Sequence, residues 1–375
     1  MTVTPEILPI STYFDIKQTS YGGRAVFANK EICKDTKVLV CDHPLSSFIS
    51  YPFRKEVCCY CFHYNNGKTL KFKIPEAELW FCSQNCLMSF NNIQFVDILI
   101  DSFSKLSQRF QQCKKRLNSS NFDEQQLNLS DKTDDEIQDF IEANWKNINN
   151  IWIPSVSNHD TNSGTNIIHV KNKANKVNNQ QQKNLSKCPL INEEEFTESR
   201  FITQLLFHMQ ICNENLHREV FTNLQSNELE MIKRFPPLLF SQIKIFQNLY
   251  IILPTELQKF LNTATFRQIL GSEYANAFGI WELSDADQDS RELFGSGLYA
   301  EASFFNNSCQ PNLVKTRNGH QMFFKVIKDI EAGEELCINY GNNTAMDISE
   351  RQKYLFENWF FHCACTKCKT ECLKL

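Results

Sequence analysis

Eight of the chain's 16 cysteines fall into two tight groups, and these constrain the fold more than any other feature. Cys58, Cys59, Cys61, Cys82 and Cys86 form the first, and the C-terminal "HCACTKC" brings Cys363, Cys365 and Cys368. The N-terminal "MTVTPEILPISTYF" has neither a basic region nor a long apolar stretch, so it does not read as a secretory signal. No run of about 18 apolar residues occurs, so no membrane span is predicted. The expected setting is the cytoplasm and/or nucleus, where thiols stay reduced and grouped cysteines point to metal before disulfide. Cys58-x2-Cys61 and Cys82-x3-Cys86 suit a closed, tetrahedral, structural zinc site, with Cys59 or His63 as substitute ligands. The C-terminal group is one thiol short. Its fourth ligand comes from Cys309 or a scattered thiol, or else the position is open for catalysis. Cys33, Cys113 and Cys212 are otherwise read as core thiols.

With 42% hydrophobic residues and 31 Phe in 375 residues, the chain can bury a sizeable core. A net charge of −4 argues against an electrostatic nucleic-acid binder. "YFDIKQT", "GRAVFANK" and "KVLVCDHPL" alternate like strands. From about Asn91 the period becomes helical. Thr133 with Glu136 forms a capping box before Ile137, Phe140, Ile141 and Trp145. A second helix carries Phe201, Leu205, His208 and Cys212 on one stripe, with His208 as a satisfied core histidine. Thr255 with Gln258, and Ser349 with Gln352, read as two further boxes. Residues 154–190 are rich in Asn, Gln and Lys and read as a disordered loop. Strands return in "YANAFGIWEL", "GSGLYAEASFF", "HQMFFKVIKDI" and "ELCINYG".

"GSGLYAEASFFNNSCQPN", then "AGEELCINYG", then "HCACTKC" resemble the C-terminal half of a SET domain with its post-SET cysteines. "SYGGRAVFANKEI" resembles the N-terminal SET strands. A cysteine finger and helices between the halves resemble the layout of the SET-and-MYND (SMYD-type) protein lysine methyltransferases, and the small fungal SET proteins of that branch are similar in size and order. The resemblance implies an α+β fold: a split SET β-fold interrupted by a reduced zinc finger and a helical insertion, with a zinc-bound post-SET segment. The corresponding spans are 1–53, 54–95, 96–270, 271–342 and 343–375.

The resemblance also implies a protein-lysine N-methyltransferase that uses S-adenosylmethionine and meets a protein lysine; the acidic charge balance argues against direct nucleic-acid contact, and a monomer is expected. Asn306 is then the main cofactor contact, flanked by Ser303, Phe305 and Asn307, with Asn276 opposite. Tyr21, Gly22, Gly23 and Arg24 match the N-terminal turn, and Phe361 the adenine side. Tyr340 matches the catalytic tyrosine, and Phe278, Tyr299 and Trp359 match channel positions. Cys309 becomes the fourth ligand with Cys363, Cys365 and Cys368, giving two structural zinc sites. Two features depart from the family pattern. No Cys lies between Phe62 and Phe81 and no matching His/Cys pair follows Cys86, so the finger keeps the pairs of one site. The usual Asn-His before Ser-Cys is Asn306-Asn307 here. These departures motivate a second reading, a SET-fold binding or scaffold protein with weak or lost catalysis.

Overall fold

The computed structural model describes residues 10–21, 23–117, 128–157, 183–211, 215–283, 291–341 and 343–373. Both ends of the chain build one set of sheets. β1 (Phe14–Gln18) pairs antiparallel with β2 (Arg24–Ala28). β3 (Lys37–Cys41) pairs with β11 (Gln321–Val326), which also pairs with β10 (Leu313–Asn318). β4 (Ser46–Ile49) pairs with β8 (Leu293–Leu298), itself paired with β7 (Phe278–Trp281). Alternation places Val38 and Leu39 inside β3, and Met322, Phe324 and Val326 inside β11. The β-fold is therefore closed only when residues some 280 positions apart meet.

Between the halves, β5 (Phe72–Ile74), β6 (Leu79–Phe81) and α1 (Gln84–Asn91) form the cysteine finger. Ser83 caps α1 by accepting from the Cys86 amide, which fixes a cysteine on its first turn. The insertion follows. Along α2 (Val96–Leu117), Leu99, Phe103, Leu106, Phe110 and Cys113 recur every three or four residues and are all buried. α3 (Asp134–Asn147) carries the expected Thr133–Glu136 box and buries Ile137, Ile141 and Trp145. The chain continues through a π turn into α4 (Ile153–Ser157), α5 (183–187), α6 (Glu193–Ile211), α7 (Asn215–Thr222), α8 (Glu228–Arg234), α9 (Leu238–Ile252), α10 (Thr255–Gln258) and α11 (Thr263–Asn276). Trp145, Phe246 and Phe266 pack ring to ring at the centre of these helices. His208 is satisfied in the core, its ring nitrogen against the Leu45 carbonyl. Among the described residues no helix is long and apolar enough to cross a membrane.

Four expectations need correction. Of the stretch read as a disordered loop, 158–182 lies outside the described residues. The flanks are ordered instead: 153–157 ends a helix, and 183–190 packs down with Cys188 buried. The cause is Arg109, which donates to the Cys188 and Pro189 carbonyls at 3.0 Å each and to Asn248 Oδ1 at 2.8 Å. Thr255 does not cap α10, because Pro254 takes that place and the Gln258 amide reaches back to the Tyr250 carbonyl at 2.6 Å. The last long helix, α12 (Ile348–Trp359), is capped by Asp347 with Glu350 rather than by Ser349, which leaves Gln352 free for another task. The strand expected over "YANAFGIWEL" starts only at Phe278, since Tyr274 to Asn276 complete α11. Cys212 and Gly22 also lie outside the described residues or their described side chains.

Gly295, opposite Ile49, packs against backbone, and a Cβ added there would lie 2.0 Å from the Phe48 carbonyl oxygen. Gly295→Ala is expected to lower unfolding free energy by about 1–3 kcal/mol, read as a lower denaturation midpoint. An unchanged midpoint would contradict the pairing of the two halves at this strand.

Candidate active site and zinc centres

The sulfurs of Cys58, Cys61, Cys82 and Cys86 all lie within 4.8 Å of one another, as do those of Cys309, Cys363, Cys365 and Cys368. Individual separations are 3.5 Å for Cys61–Cys82 and Cys82–Cys86, 3.8 Å for Cys309–Cys363 and 3.6 Å for Cys368–Cys309. Disulfides need about 2.05 Å. Four sulfurs about 2.3 Å from one tetrahedral zinc stand about 3.8 Å apart, so both quartets have the right spacing for that ion. Cys59 and His63 stand outside the first quartet, and Cys309 is the fourth thiol of the second.

The charge balance asks for a cation in each. In the first, a hydrogen bond from Cys61 holds Cys58 down to about 5, while Cys61 is pushed up by that bond and by burial. Burial, then the Cys58 charge, pushes Cys82 up to about 11. In the second, hydrogen bonding from Cys309 and Cys363 favours thiolate at Cys365, and burial pushes Cys368 up to about 11. Four thiolates brought this close together require a compensating cation.

The second quartet sits on a clamp. α12 ends at Phe360 in a left-handed conformation (φ 62°), which turns the chain back toward "HCACTKC". Gln352 then holds Cys363 from both sides, accepting from its amide at 2.8 Å and donating to its carbonyl at 2.7 Å. α13 (Thr366–Cys372) carries Cys368, and the buried Arg351 faces that sulfur while pairing with Glu371.

Directly beside the quartet, β9 (Asn306–Asn307) runs parallel to β12 (Cys337–Ile338). Asn307 joins metal cluster to tyrosine: its Oδ1 accepts from the Tyr340 amide at 3.0 Å and its Nδ2 donates to Cys363 Sγ at 3.4 Å. The Tyr340 hydroxyl donates to the Phe305 carbonyl at 3.0 Å, and its ring lies 5.6 Å from Trp359 and 6.0 Å from Phe361. Burial raises the Tyr340 pKa well above the ordinary phenol, so the hydroxyl stays protonated.

The other expected residues divide. Asn306 Nδ2 donates to Glu335 at 3.0 Å, and Tyr21 donates to the same carboxylate at 2.8 Å. Burial, reinforced by Glu335, pushes Tyr21 up to about 12. Gly23 adopts φ 73°, which glycine takes without strain. Arg24 stacks on the Phe304 ring at 5.2 Å. The Phe305 ring is core, packed on Phe14 and Phe324, so only its carbonyl reaches the site. Ser303 donates to the Tyr299 carbonyl at 3.2 Å. Tyr299 is fully buried with its hydroxyl spent on the His320 carbonyl, leaving its ring against Phe278 at 5.9 Å. Asn276 donates to Ser272 and Gln225, and no described hydrogen bond ties it to Asn306 or Tyr340.

Sequence reasoning missed Glu335, Asn312 and Gln352. Asn312 accepts from the Cys337 amide and donates to the Glu335 carbonyl, both at 2.8 Å, which seats β12 beside β9. Their signals were present in "CQPN", "AGEELC" and "SERQ" as polar residues in otherwise absorbed motifs.

The SET domain model matches residues 23–341. The chain belongs to the SET-domain family. A relative from Saccharomyces cerevisiae, named potential protein lysine methyltransferase SET6, is 36% identical over 393 residues, covering 99% of this chain and 99% of its own. Arabidopsis thaliana histone-lysine N-methyltransferase ASHR2 is 32% identical over 110 residues, 28% of this chain and 27% of its own. Human histone-lysine N-methyltransferase SMYD3 is 40% identical over 77 residues, 20% of this chain and 18% of its own. The split SET fold, the finger and the post-SET cysteine cluster are thus those of a SMYD-type SET protein.

Metal analysis of the purified chain is expected to return two zinc ions per molecule. Cys309→Ser should return one and lower the thermal midpoint by at least about 5 °C. Two ions retained in that variant would contradict the assignment of the second quartet.

Proposed function

We propose that this SET protein is an S-adenosylmethionine-dependent protein-lysine N-methyltransferase. The observation that carries the reading is Tyr340: a protonated hydroxyl anchored on the Phe305 carbonyl, walled by Trp359 and Phe361, and seated through Asn307 on a cysteine quartet. S-adenosylmethionine supplies, when bound, an electrophilic methyl group on a sulfonium. The residues present suit it. Burial lowers the Arg24 pKa, and no carboxylate among the described residues pairs with it, so its guanidinium is available for the ligand's carboxylate. Asn306, Tyr21 and Gly23 offer polar and backbone contacts, and Phe361 offers a flat apolar face. Ser303, Asn307 and Asn276 complete the proposed surround, the last through its side-chain oxygen.

The chain's own residues then do three things. Tyr340 fixes the acceptor amine through a neutral hydroxyl and does not itself ionise. The rings of Phe278, Tyr299 and Trp359 strip water from the incoming lysine, which disfavours its ammonium and exposes the lone pair. Holding donor and acceptor in line accounts for most of the acceleration, up to about 7–11 kcal/mol, with no covalent intermediate. The pairings of β3 with β11 and β4 with β8 support dividing the catalytic fold into halves 1–53 and 271–342 around the finger and insertion. Thiolate zinc sites favour a reducing compartment, so the proposed setting is cytosol or nucleus. The substrate class is protein rather than nucleic acid, in keeping with the charge of −4, and the proposed acting unit is the monomer.

Purified protein incubated with methyl-labelled S-adenosylmethionine and whole-cell extract should label discrete proteins on lysine. Tyr340→Phe should cut labelling by about a hundredfold while zinc content and cofactor affinity stay unchanged. No labelled protein, with zinc and cofactor binding intact, would overturn the reading in favour of a binding protein.

A further inference from the structure

Lys315 is a second lysine already present where the proposed reaction needs a substrate lysine. It lies on β10 directly opposite Phe324 of β11, so the two side chains share one face of the sheet. Phe324 is fully buried and stands 6.1 Å from Phe278, so Lys315 projects on the side of the sheet that carries this ring of the proposed channel. Lys315 Nζ lies 5.4 Å from the Phe278 ring centroid and donates to the Tyr340 carbonyl at 3.3 Å. It therefore spans the gap between the Phe278–Tyr299 rings and the Tyr340–Trp359–Phe361 rings.

No carboxylate among the described residues answers this charge. Burial alone moves its amine, down to about 8, and the Tyr340 carbonyl is its one hydrogen-bond partner among the described residues. A buried ammonium without a counter-ion is costly, and an apolar side chain of similar length would pack the same gap without that penalty. The amine is held by one carbonyl and one ring face rather than by a carboxylate.

Resting on the methyltransferase reading above, we infer that Lys315 is a resident plug of the substrate-lysine channel. Its stem covers the aromatic face that an incoming lysine would use, and its amine holds the space between Phe278 and Tyr340. Two amines cannot share that space by volume. The plug is releasable, because its polar tether among the described residues is a single hydrogen bond and its four-carbon stem is flexible. A substrate must therefore supply binding energy from contacts outside the channel to displace it. The chemical class selected is a lysine presented by a protein with an extended docking surface, and isolated short amines are rejected.

The test compares wild type with Lys315→Ala, using Nα-acetyl-lysine N-methylamide as the probe and calorimetry in the absence of cofactor. The variant should bind the probe at least about tenfold more tightly, a difference of about 1.4 kcal/mol. Zinc content and thermal midpoint report folding. If the alanine variant loses zinc, Lys315→Met, which keeps the stem and removes the charge, should still gain at least about threefold. Equal or weaker probe binding by a zinc-replete variant overturns the plug. The comparison needs no turnover, so it separates the two readings. Extract labelling by wild type without tighter probe binding sinks the plug alone, and tighter binding without any labelling sinks methyl transfer while upholding an occupied amine site.

Discussion

The structure depends on the short parallel pairing of Asn306–Asn307 with Cys337–Ile338. On one side of it the chain enters the metal quartet two residues later at Cys309, and on the other it reaches Tyr340 two residues later. Neither segment is long enough to hold its place as a strand. Asn307, Asn312 and the Ser308 amide, which donates to the Ile338 carbonyl at 2.8 Å, lock the two together. Zinc at the second quartet would close the same unit from the far end, binding one ligand from this crossing and three from the segment after α12. A structural metal and the tyrosine proposed as catalytic are thus parts of one small construction.

This bears on the substitution of Asn307 for the histidine usual in the family. A planar amide cannot titrate near neutral pH, yet it has both a donor and an acceptor. Here both are used at once, one on the Tyr340 amide and one on the Cys363 sulfur. The departure changes the chemistry of the bridge without leaving either partner unmet. Glu335 performs a related service on the other wall, where its two oxygens gather Tyr21 and Asn306.

Much of this was legible in the sequence because cysteine spacing and strand alternation are local signals. The pairs Cys58–Cys61 and Cys82–Cys86, the Thr133–Glu136 cap and the stripe on α3 each depend on neighbours within a few residues. The role of Cys309 was legible only through the family resemblance, since 54 residues separate it from Cys363. What escaped was decided by contacts between distant segments. Arg109 orders the Cys188–Pro189 turn from a helix 79 residues away, and composition alone made that turn look disordered. Glu335, Gln352 and Lys315 are ordinary surface residue types, and only the packing of other elements around them makes them notable. Ser349 lost its expected cap for a competing reason: Asp347 offers a charged acceptor two residues earlier, at the positive end of the helix.

The central claim is that the second cysteine quartet and the cofactor site are one mechanical unit. Calorimetry of S-adenosylmethionine binding to wild type and to Cys368→Ser tests it directly, because Cys368 lies on α13, away from the residues proposed to hold the cofactor. The account predicts that the variant loses one zinc ion and, with it, at least about tenfold in cofactor affinity. Loss of one zinc ion with cofactor affinity unchanged would contradict it.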